Sequence, residues 1–421
     1  MADVEDSAAQ HQQALMALIR AEISAAGGQL AFDRFMDLAL YAPGLGYYVA
    51  GAAKLGPEGD FVTAPEISPL FARCLAVACR EVLSQIKQQH SGSNASNASN
   101  GSNASNGSNN DLAGKGAVPS SGADLLELGA GTGALAAELL ASLAAQGPLP
   151  ERYLILEPSP DLAARQRQTL AARVPELLAR CHWLDRLPDR FDGLVIANEV
   201  LDAMPVNRFQ IGDAGQVQEV CVAIDGQGFS DRLSESASPA LQQAVLALQA
   251  EGLATQPGYR SEVNLRLAPW TQALGRMLGR GLLLVIDYGY PRSELYLAER
   301  NQGTLMCHSR HQAQGDPYRN IGLQDLTAHV DFSALAEAGI AAGLTIAGYT
   351  TQANFLIGCG IDALIAEAAA DPMAMLELTA GAKQLLLPSL MGERFQVMGL
   401  SRGFNDLLLS GFSVRDLSAR L

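Results

Sequence analysis

Between residues 123 and 204 the sequence alternates short apolar runs with stretches of helical period, and this alternation restricts the fold more than any other feature. Apolar runs at 125–128 and 153–156 are each followed by such a stretch. Strands that alternate with helices build a mostly parallel sheet covered by helices on both faces. The sequence therefore predicts an α/β fold. The predicted strands are 125–128, 153–156, 181–184, 193–197 and 281–287, and the first two predicted helices are 134–145 and 161–173.

The charge of the chain is acidic, with 44 Asp and Glu against 29 Lys and Arg and a formal net charge of −15. Because nucleic acid binding needs a basic surface, we expect no nucleic acid partner. The six cysteines are scattered and form no C-x-x-C pair, so we expect buried thiols. His308 and His311 have no third ligand at metal spacing, so no metal site is expected.

The first residues of the chain carry acids where targeting peptides carry basic residues, namely Asp3, Glu5 and Asp6. No apolar run approaches the roughly 18 residues that a membrane helix needs. We therefore expect a soluble cytoplasmic protein without a membrane span.

Composition divides the chain into parts. A Ser/Asn/Gly-rich segment contains almost nothing that can be buried and is predicted to be a flexible linker. Residues 346–359 are predicted to form a terminal hairpin pair. The predicted parts are an N-terminal helical lobe with a Gly/aromatic loop at 1–90, the linker at 91–122, the core at 123–204 and 281–360, an inserted substrate subdomain at 205–280 and a mainly helical C-terminal segment at 361–421.

A glycine-rich loop separates the first predicted strand of the core from its helix. Glu127, Gly129, Gly131 and Gly133 form the pattern E-x-G-x-G-x-G. Glycines at this place let a ligand approach the backbone, and the helix N-terminus adds N–H donors. As G-x-G-x-x-A the loop fits a dinucleotide, and as E-x-G-x-G-x-G it fits S-adenosylmethionine. The loop alone leaves both cofactors open.

Acidic residues follow the next three strands. Glu157 could accept hydrogen bonds from a ribose diol, and Asp185 from the amino group of adenine. Asn198, Glu199 and Asp202 follow the fourth strand, at the sheet edge where ligands of open α/β sheets bind. A dinucleotide enzyme has little use for acids there beside a pyrophosphate. A methyltransferase can use them to hold its acceptor, so this segment favours methyl transfer.

Several longer strings of the sequence resemble one family, the MidA-like methyltransferases, between about residues 31 and 360. The most specific strings are GDFVTAPEIS at 59–68 and DLTAHVDF at 325–332. The other matching pieces are FMDLALY at 35–41, GYY at 46–48, the glycine loop, NEVLDAMP at 198–205, EV at 262–263 and DYG at 287–289. The mitochondrial members of this family are complex I assembly factors that methylate arginine. The long linker departs from the family pattern, and the acidic N-terminus favours a bacterial member.

The resemblance implies a Rossmann-like, seven-stranded class I methyltransferase sheet and S-adenosyl-L-methionine as the cofactor. It also implies that Phe61, Thr63 and Glu66 cover the cofactor from the N-terminal lobe. The glycines would then hold the methionine part of the cofactor, with Asn198 beside it.

If the acceptor is arginine, its guanidinium stays protonated and must be held by carboxylates. Glu199 and Glu262 are the carboxylates predicted to hold the guanidinium, and Asp202 is the alternative candidate. His329 and Asp331 would share one face of a strand, where they could act as a base or orient the acceptor. A hydrogen-bonded structural role for His329 stays open.

Three functions therefore remain at this point. The first is an enzyme that methylates arginine on a protein substrate, a respiratory complex I subunit if the family role transfers. The second is an assembly chaperone that binds S-adenosylmethionine with little catalysis. The third is an NAD-dependent oxidoreductase, which only the dinucleotide form of the glycine loop favours.

Overall fold

The computed structural model describes residues 2–49, 63–97, 123–309, 312–367, 371–404 and 406–421. Its helices are α1 (Ala2–Ala25), α2 (Phe32–Tyr41), α3 (Ala64–Ile67), α4 (Pro69–Asn97), α5 (Ala134–Gln146), α6 (Pro160–Arg173), α7 (Pro239–Ala250), α8 (Leu267–Met277), α9 (Arg292–Leu295), α10 (Phe332–Ala341), α11 (Gln352–Gly358), α12 (Ile361–Ala366) and α13 (Pro372–Leu386). Its strands are β1 (Leu30–Ala31), β2 (Asp124–Leu128), β3 (Tyr153–Leu156), β4 (Cys181–Leu184), β5 (Phe191–Asn198), β6 (Asn207–Ile211), β7 (Val217–Asp225), β8 (Gly228–Leu233), β9 (Arg260–Val263), β10 (Leu278–Tyr290), β11 (Met306–Ser309), β12 (Gln312–Gln314), β13 (Asp325–Thr327), β14 (Val330–Asp331), β15 (Thr345–Thr351) and β16 (Phe395–Arg402).

The predicted linker at 91–122 lies outside the described residues from 98 onward. Its first residues, 91–97, continue α4. Within the described ranges, no helix combines the length and the apolar character needed to cross a bilayer.

The central sheet contains all five strands predicted between residues 125 and 287. In the described part of the chain, its strands run in the order β15-β16-β10-β5-β2-β3-β4, and β14 adds to the end of β10. The strands from β4 to β10 pair in parallel, whereas β16 runs antiparallel to both of its neighbours. The predicted α/β fold with a seven-stranded Rossmann-like sheet is therefore confirmed.

Helices cover the sheet on both faces because the middle of its central strands presents apolar side chains to both faces. Along β10, Leu282 and Leu284 belong to the core that includes α4 and α5, whereas Leu283 and Val285 belong to the core that includes α8 and α10. Successive side chains of a strand point to opposite faces, so one continuous apolar run supplies both cores.

A second sheet joins the beginning of the chain to the inserted segment. β1 pairs antiparallel with β7, and β6, β8 and β9 complete this sheet. Helix α2 packs on it through Phe32 and Phe35, which share a core with Val222 and Phe229. The predicted N-terminal lobe at 1–90 is thus divided: its first two helices pack on the inserted sheet, and α4 packs on the central sheet.

The end of the chain differs from the prediction. Residues 346–359 do not form a hairpin, because β15 is followed directly by α11. The partner of β15 is β16, which lies within the segment predicted to be mainly helical. β16 enters between β15 and β10 and is buried at all but its last residue. Its apolar side chains complete both cores of the sheet, which local sequence does not indicate.

We expect the substitution Gly193→Ala to destabilise the fold strongly. A Cβ at Gly193 would lie 2.0 Å from the carbonyl oxygen of Asp124, on the adjacent strand β2. Relief requires the two central strands to separate, so we expect a loss of about 3 kcal/mol or more in the free energy of unfolding. Urea denaturation of the variant and the wild type measures the free energy of unfolding. In the control Gly228→Ala, the new Cβ would meet only Asp225 O at 3.8 Å and should change little. Equal stabilities for the two variants would contradict this packing.

Candidate functional site

A cavity of about 340 Å³ opens at the carboxyl ends of the central strands. Ligands of open α/β sheets bind at this edge, and a volume of this size holds a small cofactor. The glycine loop, the end of β3 and the end of β5 line the cavity from the central sheet. The N-terminal part of the chain contributes Tyr41, Tyr48, Thr63 and Glu66 to the opposite side.

The glycine loop holds a backbone that other residues rarely adopt. Gly129, Gly131 and Gly133 have φ values of +66°, +51° and +82°. Gly129 and Gly131 line the cavity, and Gly133 precedes the first turn of α5. A Cβ at Gly133 would lie 3.2 Å from the Cα of Gln166. All three positions therefore favour glycine for their conformation, and Gly133 also for the close approach of α6.

Gln166, which the sequence did not single out, connects three parts of this wall. Its side-chain amide Nε2 donates to the carbonyl of Gly131 at 3.1 Å and to the carboxylate of Glu157 at 2.9 Å. Its carbonyl Oε1 accepts from Trp183 Nε1 at 2.9 Å. Gln166 is fully buried within α6. Only the packing of α6 on the loop brings these groups together, so local sequence carries no signal for it.

Glu157 and Asp185 occupy different environments. The carboxylate of Glu157 lines the cavity and also accepts from the backbone N–H of Ser159 at 3.0 Å. Burial raises its pKa. Asp185 is exposed and does not line the cavity, so its predicted contact with adenine is not supported. That prediction placed the ligand beside the end of β4, whereas Leu187 and Trp270 form the lining there.

Glu127 is buried and lines the cavity behind the glycine loop. Its carboxylate accepts a hydrogen bond from the hydroxyl of Tyr153 at 2.7 Å. Burial raises the pKa of Glu127 to about 7, and repulsion from Glu157 adds to the increase. A cationic group entering the cavity would stabilise the ionised form.

The N-terminal side of the cavity, formed by Tyr41, Tyr48, Thr63 and Glu66, contacts the glycine loop directly. Thr132 donates its hydroxyl to Glu66 Oε1 at 2.9 Å, while Glu66 Oε2 is buried without a hydrogen-bond partner. Thr63 lines the cavity next to it. Phe61, the third residue predicted to cover the cofactor, lies outside the described residues.

The end of β5 places an acid in the cavity in an unusual backbone conformation. Glu199 has a φ of +53°, and Asn198 Nδ2 donates to its carboxylate at 3.2 Å. Both residues line the cavity, and Asn198 Oδ1 is buried without a partner. Burial raises the pKa of Glu199 to about 8, and repulsion from Asp287 is the second cause.

Asp287, at the end of β10, organises the segment that follows Glu199. Its Oδ2 accepts the backbone N–H groups of Val200, Leu201 and Asp202 at 3.2, 2.8 and 3.3 Å. Burial raises the pKa of Asp287 to about 7 despite these donors. Asp202 is also buried, its Oδ1 has no partner, and burial and repulsion from Asp287 raise its pKa.

Glu262 does not line the cavity beside Glu199, so the structure does not bring the predicted pair together there. Glu262 is on β9 of the second sheet and is not among the residues that line the cavity. Its carboxylate accepts from both the backbone N–H and the hydroxyl of Thr304. These bonds hold the loop before β11, so the acid has a structural partner.

His329 lies beside the acidic segment but does not line the cavity. Its ring stacks on that of Tyr288, with centroids 6.0 Å apart and planes 7° apart. Burial lowers its pKa to about 4, and Arg300 adds to the decrease. Asp331 does not pair with it, because that carboxylate caps α10 and binds Arg292. Within the described ranges, no cluster of His, Cys, Asp or Glu is arranged to hold a metal ion.

Comparison with known proteins identifies the ligand class of this cavity. Residues 113–350 match the model of a family of S-adenosyl-L-methionine-dependent methyltransferases. A crystal structure of a protein from Burkholderia thailandensis bound to S-adenosyl-homocysteine is 41% identical, with a TM-score of 0.84, and the match covers 99% of this chain and 98% of that chain. A native structure of a protein from the same organism is also 41% identical, with a TM-score of 0.81 and the same coverage.

Curated relatives of lower sequence identity are also methyltransferases by name. The protein arginine methyltransferase NDUFAF7, mitochondrial, of Danio rerio is 29% identical over 397 residues, which are 88% of this chain and 83% of the relative. The protein of the same name from Homo sapiens is 27% identical over 400 residues, with 89% and 80% coverage. Both similarities extend over nearly nine tenths of the chain.

The described residues fit S-adenosylmethionine. The glycine cradle can receive its methionine part, the carboxylate of Glu157 can accept from the ribose, and the unpartnered Glu66 Oε2 and Asn198 Oδ1 can accept from its amino groups. The dinucleotide interpretation of the glycine loop is therefore replaced by S-adenosylmethionine.

We expect Gln166→Leu to weaken binding of S-adenosylhomocysteine by about tenfold or more, because the bonds that position Gly131 and Glu157 are lost. Isothermal titration measures the affinity, and circular dichroism verifies folding. Gln243→Leu, at an exposed position of α7, is the matched control. An affinity within twofold of the wild type for folded Gln166→Leu would contradict the positioning role.

Proposed function

The chain belongs to this family of S-adenosyl-L-methionine-dependent methyltransferases, and we propose that it methylates an arginine side chain of a protein. The observation that carries the proposal is the acidic turn at the end of β5. There Glu199 lines the cavity, and Asp202 is buried with Oδ1 free of any hydrogen-bond partner. Buried acids without a counter-charge indicate a site for a cationic ligand.

A guanidinium matches the needs of this turn. It stays protonated at physiological pH and presents several N–H donors in a plane, which two carboxylates can accept. Glu199 and Asp202 are three residues apart on one turn whose backbone Asp287 fixes. Asp202 is buried directly behind the cavity lining formed by Val200 and Ala203, and we propose it as the second carboxylate in place of Glu262.

S-adenosylmethionine, when bound, supplies a methyl group on a positively charged sulfur for in-line transfer. Glu199 and Asp202 would orient the acceptor nitrogen and balance the positive charge of the guanidinium. The nitrogen releases one proton as it gains the methyl group, and the carboxylate of Glu199 can hold it. Its raised pKa, about 8, makes it a better proton acceptor than an exposed glutamate.

Names of relatives support the arginine specificity. Both mitochondrial relatives carry the name protein arginine methyltransferase, at 27% to 29% identity. A complex I subunit as the substrate and a cytoplasmic location remain predictions from the sequence. A chaperone without catalysis would not need the unpartnered acids of the β5 turn, so we favour the enzyme.

We expect Glu199→Gln to abolish methylation of arginine while leaving the affinity for S-adenosylhomocysteine within about threefold, since a neutral amide cannot balance a guanidinium. The purified variants are incubated with methyl-labelled S-adenosylmethionine and a bacterial protein extract, and the hydrolysate is analysed for methylarginine.

Glu176→Gln, at an exposed residue that does not line the cavity, is the matched control and should act as the wild type. Label on another amino acid, or no label with folded wild-type protein that binds S-adenosylhomocysteine, would overturn arginine as the acceptor. Loss of cofactor binding in Glu199→Gln would overturn its role at the acceptor.

The rate of methylarginine formation should rise with pH and level off above about pH 8. Glu199 accepts from the guanidinium only as a carboxylate, and its pKa is raised to about 8, so the binding-competent form is scarce below that pH. At limiting substrate we expect a slope of about tenfold per pH unit on the acidic side. Initial rates between pH 6 and 9, with cofactor affinity measured at each pH, test this. A rate that is constant or falls over this range would contradict it.

A further inference from the structure

Two tyrosines of the N-terminal part form one side of the cavity. Tyr41 and Tyr48 line the same space as Glu199 and the glycine loop. Their rings are stacked, with centroids 5.6 Å apart and planes 17° apart. Tyr41 ends α2, and Tyr48 follows a turn that begins directly after it, so the short chain segment itself brings the rings together.

The hydroxyl groups of the pair are already used. Tyr41 donates to the carbonyl of Ala203 at 2.9 Å, and Tyr48 donates to the carboxylate of Asp325 at 3.0 Å from either oxygen. Burial, with the charge of Asp325 nearby, raises the pKa of both phenols, so both stay neutral. What the pair offers to a ligand is therefore aromatic ring surface and not a free hydroxyl group, with Tyr48 held in place by a T-shaped contact with Tyr47 at 5.1 Å.

The electrostatic surroundings of the pair favour a cation. Asp202 and Asp325 lie close enough to raise the pKa of both tyrosines. Among the described residues that line the cavity there are four glutamates and neither lysine nor arginine. A cation held on an aromatic face gains from the ring quadrupole, and a planar guanidinium can also stack on it.

We infer that the paired rings of Tyr41 and Tyr48 form the wall on which the guanidinium of the substrate lies, and that this wall selects arginine over lysine. The inference rests on the proposed function. The hydrogen bond to Ala203 ties the pair to the Glu199–Asp202 turn and not to the glycine loop, which places the wall on the acceptor side. Glu199 and Asp202 would bind the edge of the guanidinium while the ring supports its face.

The experiment uses the full chain saturated with S-adenosylhomocysteine and two small cations, ethylguanidinium and n-butylammonium. Titration calorimetry compares the wild type with Tyr48→Leu, Tyr41→Leu, Tyr48→Phe and Glu199→Gln. We expect each leucine variant to bind ethylguanidinium about tenfold more weakly and to lose most of the preference over n-butylammonium. Tyr48→Phe keeps the face and should stay within about threefold of the wild type. An unchanged affinity for S-adenosylhomocysteine shows that each variant is folded.

The outcomes separate this inference from the proposed function. If Glu199→Gln loses ethylguanidinium but both leucine variants keep it, the aromatic wall is wrong and arginine remains the acceptor. If the wild type does not bind ethylguanidinium, both proposals are overturned. If the leucine variants bind S-adenosylmethionine more weakly but S-adenosylhomocysteine normally, the rings serve the sulfonium, and the wall for the acceptor is overturned.

Discussion

The carboxylate of Asp287 holds the site together by accepting three consecutive backbone N–H groups after β5. Those donors would otherwise be buried without partners, since the turn runs between the sheet and the N-terminal part of the chain. By fixing the turn, Asp287 also sets the positions of Glu199 and Asp202. A single buried acid from β10 thus connects the central sheet to the acceptor side of the cavity.

This arrangement concentrates negative charge at a place where water is scarce. The pKa values of Glu127, Glu199 and Asp287 are raised to about 7, 8 and 7, mainly because burial penalises their charged forms. The fold therefore tolerates buried acids whose charged forms are penalised by burial, which is typical of functional sites. A cationic cofactor and a cationic acceptor would each relieve part of that cost.

The placement of residues that are neighbours in sequence could be predicted. The placement of residues that come together only through packing could not. The parallel strands, the glycine loop and the acids after β5 follow from local patterns, and the fold confirms their placement. The surroundings of Asp185, Glu262 and β16 could not be predicted because they depend on segments distant in sequence. Gln166 and Trp270 were missed for the same reason: α6 and α8 bring them to the cavity from positions without any local signature.

The pairing of β1 with β7 determines when the first helices can fold during synthesis of the chain. Residues 30–31 complete their ladder with residues 221–222, and Phe35 shares its core with Phe229, so the first helices have no sheet to pack on until about half the chain has left the ribosome. Contacts so distant in sequence form late and slowly. The glycine cradle brings together residues that are close in sequence, whereas the tyrosine side of the cavity needs β7, so the two sides of one cavity differ in how far apart in sequence their supporting segments lie.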